Sequence, residues 1–192
     1  MPSPPLPPSA DRVGLRRRLL AEREAHACGV AAAAAAPAFA GHLRAVLAQL
    51  EPQCLGLYWP HRFEFNAPAA LAGRQGHANA EWALPFARRT PASLHYRLWD
   101  GHAPRAVDEC ALPTSDGAET VPDVVLVPCL GYTAAGFRLG YGGGYFDRWL
   151  AAHSQVCAVG VAWSMARLEE AELAPSAHDV RLALIVTELG VV

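Results

Sequence analysis

The chain has 192 residues with 52% hydrophobic content, a net charge of −2 and a mean hydropathy of +0.12. That is enough apolar side chain to bury a core in one domain of ordinary size, and it excludes a disordered chain. The near-neutral charge, with a pI near 6.4, implies no broad attraction to nucleic acid or to an anionic membrane. All 16 basic residues are arginine and lysine is absent, so a P-loop nucleotidase, which needs a lysine on the terminal phosphates, is excluded. A GC-rich genome accounts for this composition as well as selection for bidentate anion contacts does.

The five cysteines, at 28, 54, 110, 129 and 157, form no C-x-x-C pair. They suggest neither a zinc site nor a disulfide framework, and read as reduced thiols of a cytoplasmic protein. The N-terminus lacks the apolar core of a signal peptide. No apolar run is expected to approach the roughly 20 residues of a membrane span.

Residues 1–10 are proline-rich and read as a flexible tail, followed by one domain over residues 11–192. A helix is expected from Asp11 to His26, with Val13, Leu15, Leu19 and Leu20 apolar and Arg12, Arg16, Arg17, Arg18 and Arg23 polar. Gly29 interrupts it. The alanine run Ala31–Ala36 is helical by propensity, and a second helix follows Pro37 to Leu50. Cys54–Trp59 reads as a buried strand ending at Pro60, and Asn66 as the cap of a short helix near Pro68. Ala80–Phe86 and Leu94–Trp99 are strand-like, and residues 100–121 form a polar connecting loop. Asp123–Val127, Val156–Ala162 and Leu182–Val186 are continuous apolar strands of the kind a parallel sheet buries on both faces. A helix runs from Tyr145 to His153. The alternation predicts an α/β fold, a single three-layer domain with a mainly parallel central sheet flanked by helices.

Val127–Leu150 carries the chemistry. It reads as a strand, a loop containing Arg138, four glycines within Gly140–Gly144, and a helix start. Glycines let backbone N–H groups approach a phosphate, and a helix N-terminus adds partial positive charge. Arg138 offers a fixed fork of donors to the same anion, and Asp147 is placed to hold a divalent cation. Singly, each has a plainer explanation: a tight turn for the glycines, the helix dipole for Asp147. Jointly they favour an anion site.

The run GFRLGYGGGYFDR, Gly136–Arg148, resembles the signature of the 5-formyltetrahydrofolate cyclo-ligase family, G-x-R-L-G-x-G-x-G-[YF]-[YF]-D-R. Flanking matches follow in order from about Arg12 to Val192: Arg12 and Arg16 for a K-x-x-x-R pair, Glu64-Phe65-Asn66-Ala67 for E-x-D-T, and His178-Asp179 before the last strand. The resemblance implies ATP- and Mg²⁺-dependent conversion of 5-formyltetrahydrofolate, free or polyglutamylated, to 5,10-methenyltetrahydrofolate. It implies that Arg12, Val13, Gly14, Leu15 and Arg16, with Arg138, Leu139, Gly140, Tyr141, Gly142, Gly143, Gly144, Tyr145 and Phe146, surround ATP. Trp59, Glu64 and the segment Tyr141–Tyr145 would touch the formyl-folate, Asp147 and Asp179 would bind magnesium, and Arg138 and Tyr145 would be catalytic. His178 is expected to be a structural neighbour of Asp179. The chain departs from the family pattern in having Gly143 where some relatives have lysine, Arg12 for lysine, and Asn66-Ala67 for Asp-Thr. A cytoplasmic monomer with no nucleic-acid or membrane partner is expected. The alternatives are a same-fold relative acting on another N-formyl or thiamine-related substrate, and a non-catalytic folate- or nucleotide-binding protein.

Overall fold

A computed structural model describes residues 11–72 and 80–192; the proline-rich segment 1–10 lies outside them. Helix α1 spans Arg12–Ala27 and α2 Val30–Leu50; strand β1 (Cys54–Gly56), helix α3 (Ala67–Leu71) and the strands β2 (Glu81–Arg89) and β3 (Ala92–Trp99) follow. Three short strands come next, β4 (Ala106–Val107), β5 (Pro113–Thr114) and β6 (Glu119–Thr120), then β7 (Val124–Pro128), β8 (Gly131–Thr133) and β9 (Arg138–Leu139). The chain closes with α4 (Tyr145–Ala152), β10 (Cys157–Val161), β11 (Arg167–Leu168), α5 (Glu170–Leu173), β12 (Leu184–Thr187) and β13 (Gly190–Val191).

The main sheet has eight strands in the order β13-β12-β10-β7-β1-β2-β3-β6. Its centre, β12-β10-β7-β1-β2, is parallel, and the edges β13, β3 and β6 pair antiparallel. This is the mainly parallel α/β sheet expected. Strand β7 shows why it is buried on both sides. Val124 and Leu126 point into one apolar cluster with Phe39, Leu43 and Leu47 of α2, while Val125 and Val127 point into another with Trp149 and Leu150 of α4. The period of two along the strand divides its side chains between the two helical layers.

Five expectations change. The second helix does not begin at Pro37: α2 is one helix of 21 residues with Pro37 inside it. An interior proline costs about 3 kcal/mol. Fully burying Phe39, Leu43 and Leu47, at about 1.5–3 kcal/mol each, outweighs that cost. As a result α2 is long and apolar enough, by composition, to cross a membrane, contrary to the expected absence of such a run. Its buried residues pack on the sheet, and they make up 33% of that apolar stretch. The stretch 100–121 is not all loop, because it contributes β4, β5 and β6. Arg138 is not in a loop either. It lies in β9, which pairs antiparallel with β8 in a separate three-stranded sheet, β11-β8-β9. Finally, β2 and β3 extend beyond their expected limits and form a hairpin paired from Trp82↔Trp99 to Arg89↔Ala92.

Helix α1 begins at Asp11, whose side chain accepts from the Gly14 N–H at 2.8 Å as an N-cap does. It seats Leu15 and Leu19 against Leu130, Leu139 and Leu168. With those two leucines fixed on the small sheet, the neighbouring stripe of α1, Arg12, Arg16, Leu20 and Arg23, turns toward the segment that follows β9.

Candidate functional site: a cleft at the strand ends

A cleft of about 1200 Å³ opens at the carboxyl ends of β1 and β7, where ligands of open α/β sheets bind. One wall is the glycine loop, Gly140–Gly144, with the first turn of α4; the facing wall is the segment after β1 that carries Trp59 and Glu64. Arg12, Arg16, Arg138, Tyr145, Phe146, Asp147 and Asp179 also line it. Thus most of the expected residues meet in one space. Val13, Gly14, Leu15 and Leu139 do not reach it. Val13 is 75% exposed, and Leu15 and Leu139 belong to the apolar cluster that seats α1. In that part of the family motif, only the arginines point inward.

The glycine loop is shaped for close approach. Gly142 has φ of 99° and Gly144 a φ of 62° at the N-cap of α4, backbone states that favour glycine. A Cβ at Gly142 would stand 3.2 Å from the guanidinium carbon of Arg16. The Nε of Arg16 donates to the Gly140 carbonyl at 2.8 Å, which leaves both Nη groups directed at the loop. Burial and the neighbouring Arg12 pull the Arg16 pKa below its ordinary value, the mark of a cation placed where an anion would relieve it. Arg148 donates to the Gly143 carbonyl at 2.9 Å, bringing a further guanidinium to the turn.

Arg138 and Asp147 are partners of each other. Arg138 is only 6% exposed; its Nη2 meets Asp147 Oδ1 at 2.9 Å and its Nη1 donates to the Val180 carbonyl at 3.0 Å. Asp147 Oδ1 also accepts from the Val180 N–H at 3.1 Å. Asp179 is held by Arg12 through both oxygens, at 2.6 and 3.1 Å, and accepts from the Ser176 N–H. Among the described residues no three His, Cys, Asp or Glu side chains converge on one point. Magnesium asks for fewer protein ligands, binding one or two carboxylates together with phosphates and water. Asp147 fits such a site best, because both of its protein contacts fall on Oδ1, whereas Arg12 holds both oxygens of Asp179.

The Arg12 pairing holds the Asp179 carboxyl at about 2, against the opposing effect of burial. A depressed carboxyl contributes stability that is complete above pH 4 and is lost as pH falls toward 2. For a pair with side chains 25% and 13% exposed, about 1 kcal/mol is expected after solvent screening. Denaturation of wild type and Asp179→Asn tests this: the difference between them should shrink as pH falls from 6 to 2.

On the other wall, Trp59 packs edge-on against Trp99 and still lines the cleft. Asn66 caps α3 through the Ala69 N–H, and Ala67 is fully buried; both serve the fold rather than the pocket. His178 lines the cleft and is exposed. Sequence reasoning missed Arg23, which pairs with Glu64 at 3.7 Å. Its signal was its place in the stripe of Arg12 and Arg16, one face of a helix. The helix pattern marks it only as one of five polar positions.

Solved structures that share the fold include two 5,10-methenyltetrahydrofolate synthetases. A 5,10-methenyltetrahydrofolate synthetase from Mycoplasma pneumoniae is 20% identical with a TM-score of 0.70, covering 92% of this chain and 98% of that one. The 5,10-methenyltetrahydrofolate synthetase of Aquifex aeolicus is 23% identical with a TM-score of 0.74, covering 94% of this chain and 91% of that one. No curated protein matches the sequence. The model of the 5-formyltetrahydrofolate cyclo-ligase family matches residues 8–188, a span that includes every element lining the cleft. The chain therefore belongs to the 5-formyltetrahydrofolate cyclo-ligase family of enzymes.

Proposed function

We propose that this protein closes 5-formyltetrahydrofolate to 5,10-methenyltetrahydrofolate with consumption of ATP, in the presence of magnesium, and release of ADP and phosphate. The observation that carries this reading is the meeting of a glycine loop flanked by arginines with the Trp59–Glu64 wall across one cleft. Its volume of about 1200 Å³ exceeds the roughly 300–1,000 Å³ of a pocket for one small ligand. A space of that size supports a reading with two substrates.

In this reading the N–H groups of Gly140–Gly144, the first turn of α4 and the free Nη groups of Arg16 hold the triphosphate. Arg148 adds charge at Gly143. Trp59 offers a flat ring to the pterin, and Glu64 accepts from its donor-rich edge. Transfer of the terminal phosphoryl group to the formyl oxygen breaks its bond to ADP. N10 then attacks the formyl carbon, gives up its proton, and the C–O bond breaks as phosphate leaves. Magnesium bound at Asp147 would neutralise phosphate charge. The residues bind, orient and exclude water, which is what phosphoryl transfer asks of a protein. No side-chain nucleophile is required.

The test is an assay of the purified protein with 5-formyltetrahydrofolate, ATP and magnesium, each omitted in turn. The methenyl chromophore should appear only when all three are present, with one ADP per ring closed. ATP consumption without ring closure, or closure without ATP, overturns the proposal.

A further inference from the structure

Arg23 is 3% exposed, deeper than the other arginines on its stripe of α1, and it does not line the cleft. A cation in so closed a position is unfavourable unless opposite charge and hydrogen bonds match it. Two neighbours match it through Nη1, while the buried Nη2 has no hydrogen-bond partner among the described residues. Arg23 Nη1 donates to the Tyr141 hydroxyl at 3.1 Å and lies 3.7 Å from Glu64 Oε1. The Tyr141 hydroxyl donates to the same Oε1 at 2.7 Å. The other carboxylate oxygen accepts from the His61 N–H at 2.9 Å, and the Glu64 side chain is only 5% exposed. Three segments distant in sequence, α1, the loop after β1 and the glycine loop, are thereby joined at a single phenol oxygen.

We propose that Arg23 is a positioning residue: it fixes the Glu64 carboxylate and, through the Tyr141 hydroxyl, latches the glycine loop to the wall that carries Trp59 and Glu64. This rests on the reading of the cleft given above. The consequence is mechanical as well as electrostatic. Gly142 and Gly144 leave the loop few side-chain anchors, and Tyr141 is the side chain that ties it to the opposite wall. Arg23 thus couples the phosphate side of the cleft to the folate side, where the reacting groups must meet.

The electrostatics agree. Burial raises the Glu64 pKa, while the Tyr141 hydroxyl, the His61 N–H and Arg23 oppose the rise. The other groups facing this cluster are Tyr58 and His61 from the segment after β1, with Arg62 beside His61, and Cys129 at the end of β7, with Arg138 near it. Burial drives the Tyr58 phenol up and the Cys129 thiol to about 12, so both are neutral, and it lowers the His61 pKa. Among the described residues, Arg23 is the cation in ion-pair range of Glu64. Without it the carboxylate takes up a proton at higher pH. An acid limb that depends on ionised Glu64 must then move upward.

The experiment compares wild type, Arg23→Met, Arg23→Lys and Arg23→Met/Glu64→Gln in two measurements. The first is hydrogen exchange of residues 140–144 in the ligand-free protein, which needs no turnover. Exchange should be about tenfold faster in Arg23→Met and near wild type in Arg23→Lys, given that exchange reports local opening. The second is the pH profile of kcat/KM. In Arg23→Met the acid limb should move up by about one pH unit, a tenfold loss at low pH that closes as pH rises. The shift should be absent once Glu64 is Gln. A folded Arg23→Met variant with wild-type exchange and a pH-independent loss would overturn the proposal. If Arg23→Met fails to fold, Tyr141→Phe, which removes only the shared hydroxyl, is judged by the same exchange criterion. A wild-type protein without cyclo-ligase activity would overturn the functional reading alone, because the exchange result stands without it.

Discussion

Replacing Arg138 with alanine is expected to lower folding stability by roughly 3 kcal/mol and to reduce turnover by about 10²-fold or more. The size of the effect follows from where the guanidinium sits. It is buried, it bonds Asp147 Oδ1 at 2.9 Å and the Val180 carbonyl at 3.0 Å, and so it pins the first turn of α4 to the segment before β12. Alanine leaves the Val180 carbonyl without this donor and the Asp147 carboxylate with the Val180 N–H but no counter-ion, which costs more than the contact itself contributes. The family signature suggested that this arginine contacts ATP directly. The two roles separate in a double-mutant cycle with Asp147→Ala, measured by denaturation without nucleotide. A coupling of 1–3 kcal/mol marks Arg138 as the organiser of the Asp147 wall. Additive losses, with ATP affinity falling in Arg138→Ala alone, would instead mark a direct phosphate contact. A variant with wild-type stability and turnover would remove Arg138 from the site altogether.

How much of this was legible without coordinates differs from element to element. The run Asp123–Val127 announced a strand buried on both faces, and the alternation of Val124–Val127 between two clusters bears that out. The cap at Asn66 and the helix after Gly144 were legible because their signals are local. Pro37 misled for the same reason. Its penalty is local, whereas the burial of Phe39, Leu43 and Leu47 that offsets it comes from the distant strands of the sheet.

The site shows the same division. Gly136–Arg148 identifies the loop, since glycine spacing and the helix start lie within one short segment. Who pairs with whom is a tertiary fact. Arg23 meets a tyrosine 118 positions away, and that tyrosine meets a glutamate 77 positions away. A helix stripe can say that Arg12, Arg16 and Arg23 share a face, but not that the first faces Asp179, the second the glycine loop and the third Glu64. Nor could the sequence say that Arg138 and Asp147, each assigned to a ligand, hold one another.

Asp147 is where that pairing alters the expected outcome most. A carboxylate in the first turn of α4 complements the helix dipole, a contribution of about 0.3–1 kcal/mol. The ion pair with Arg138, whose side chain is 4% exposed, adds to it. Asp147→Asn keeps an acceptor for the Val180 N–H and removes the negative charge. A loss of stability of about 1–2 kcal/mol is therefore expected, larger than the dipole alone would give, because Arg138 is left buried without its counter-ion. Activity should fall much further, by about 10²-fold or more, if the carboxylate helps hold magnesium against the phosphates. The two effects have different signatures. Loss of a metal ligand raises the magnesium concentration needed for half-maximal rate, and added magnesium recovers part of the activity. Loss of the Arg138 pairing alone lowers the melting temperature and leaves the magnesium dependence as in wild type. Thermal denaturation without metal, together with a magnesium titration of the rate at fixed ATP, reads both. An Asp147→Asn protein that is destabilised but titrates with magnesium like wild type would assign Asp147 to the fold and leave the metal to other oxygens of the cleft.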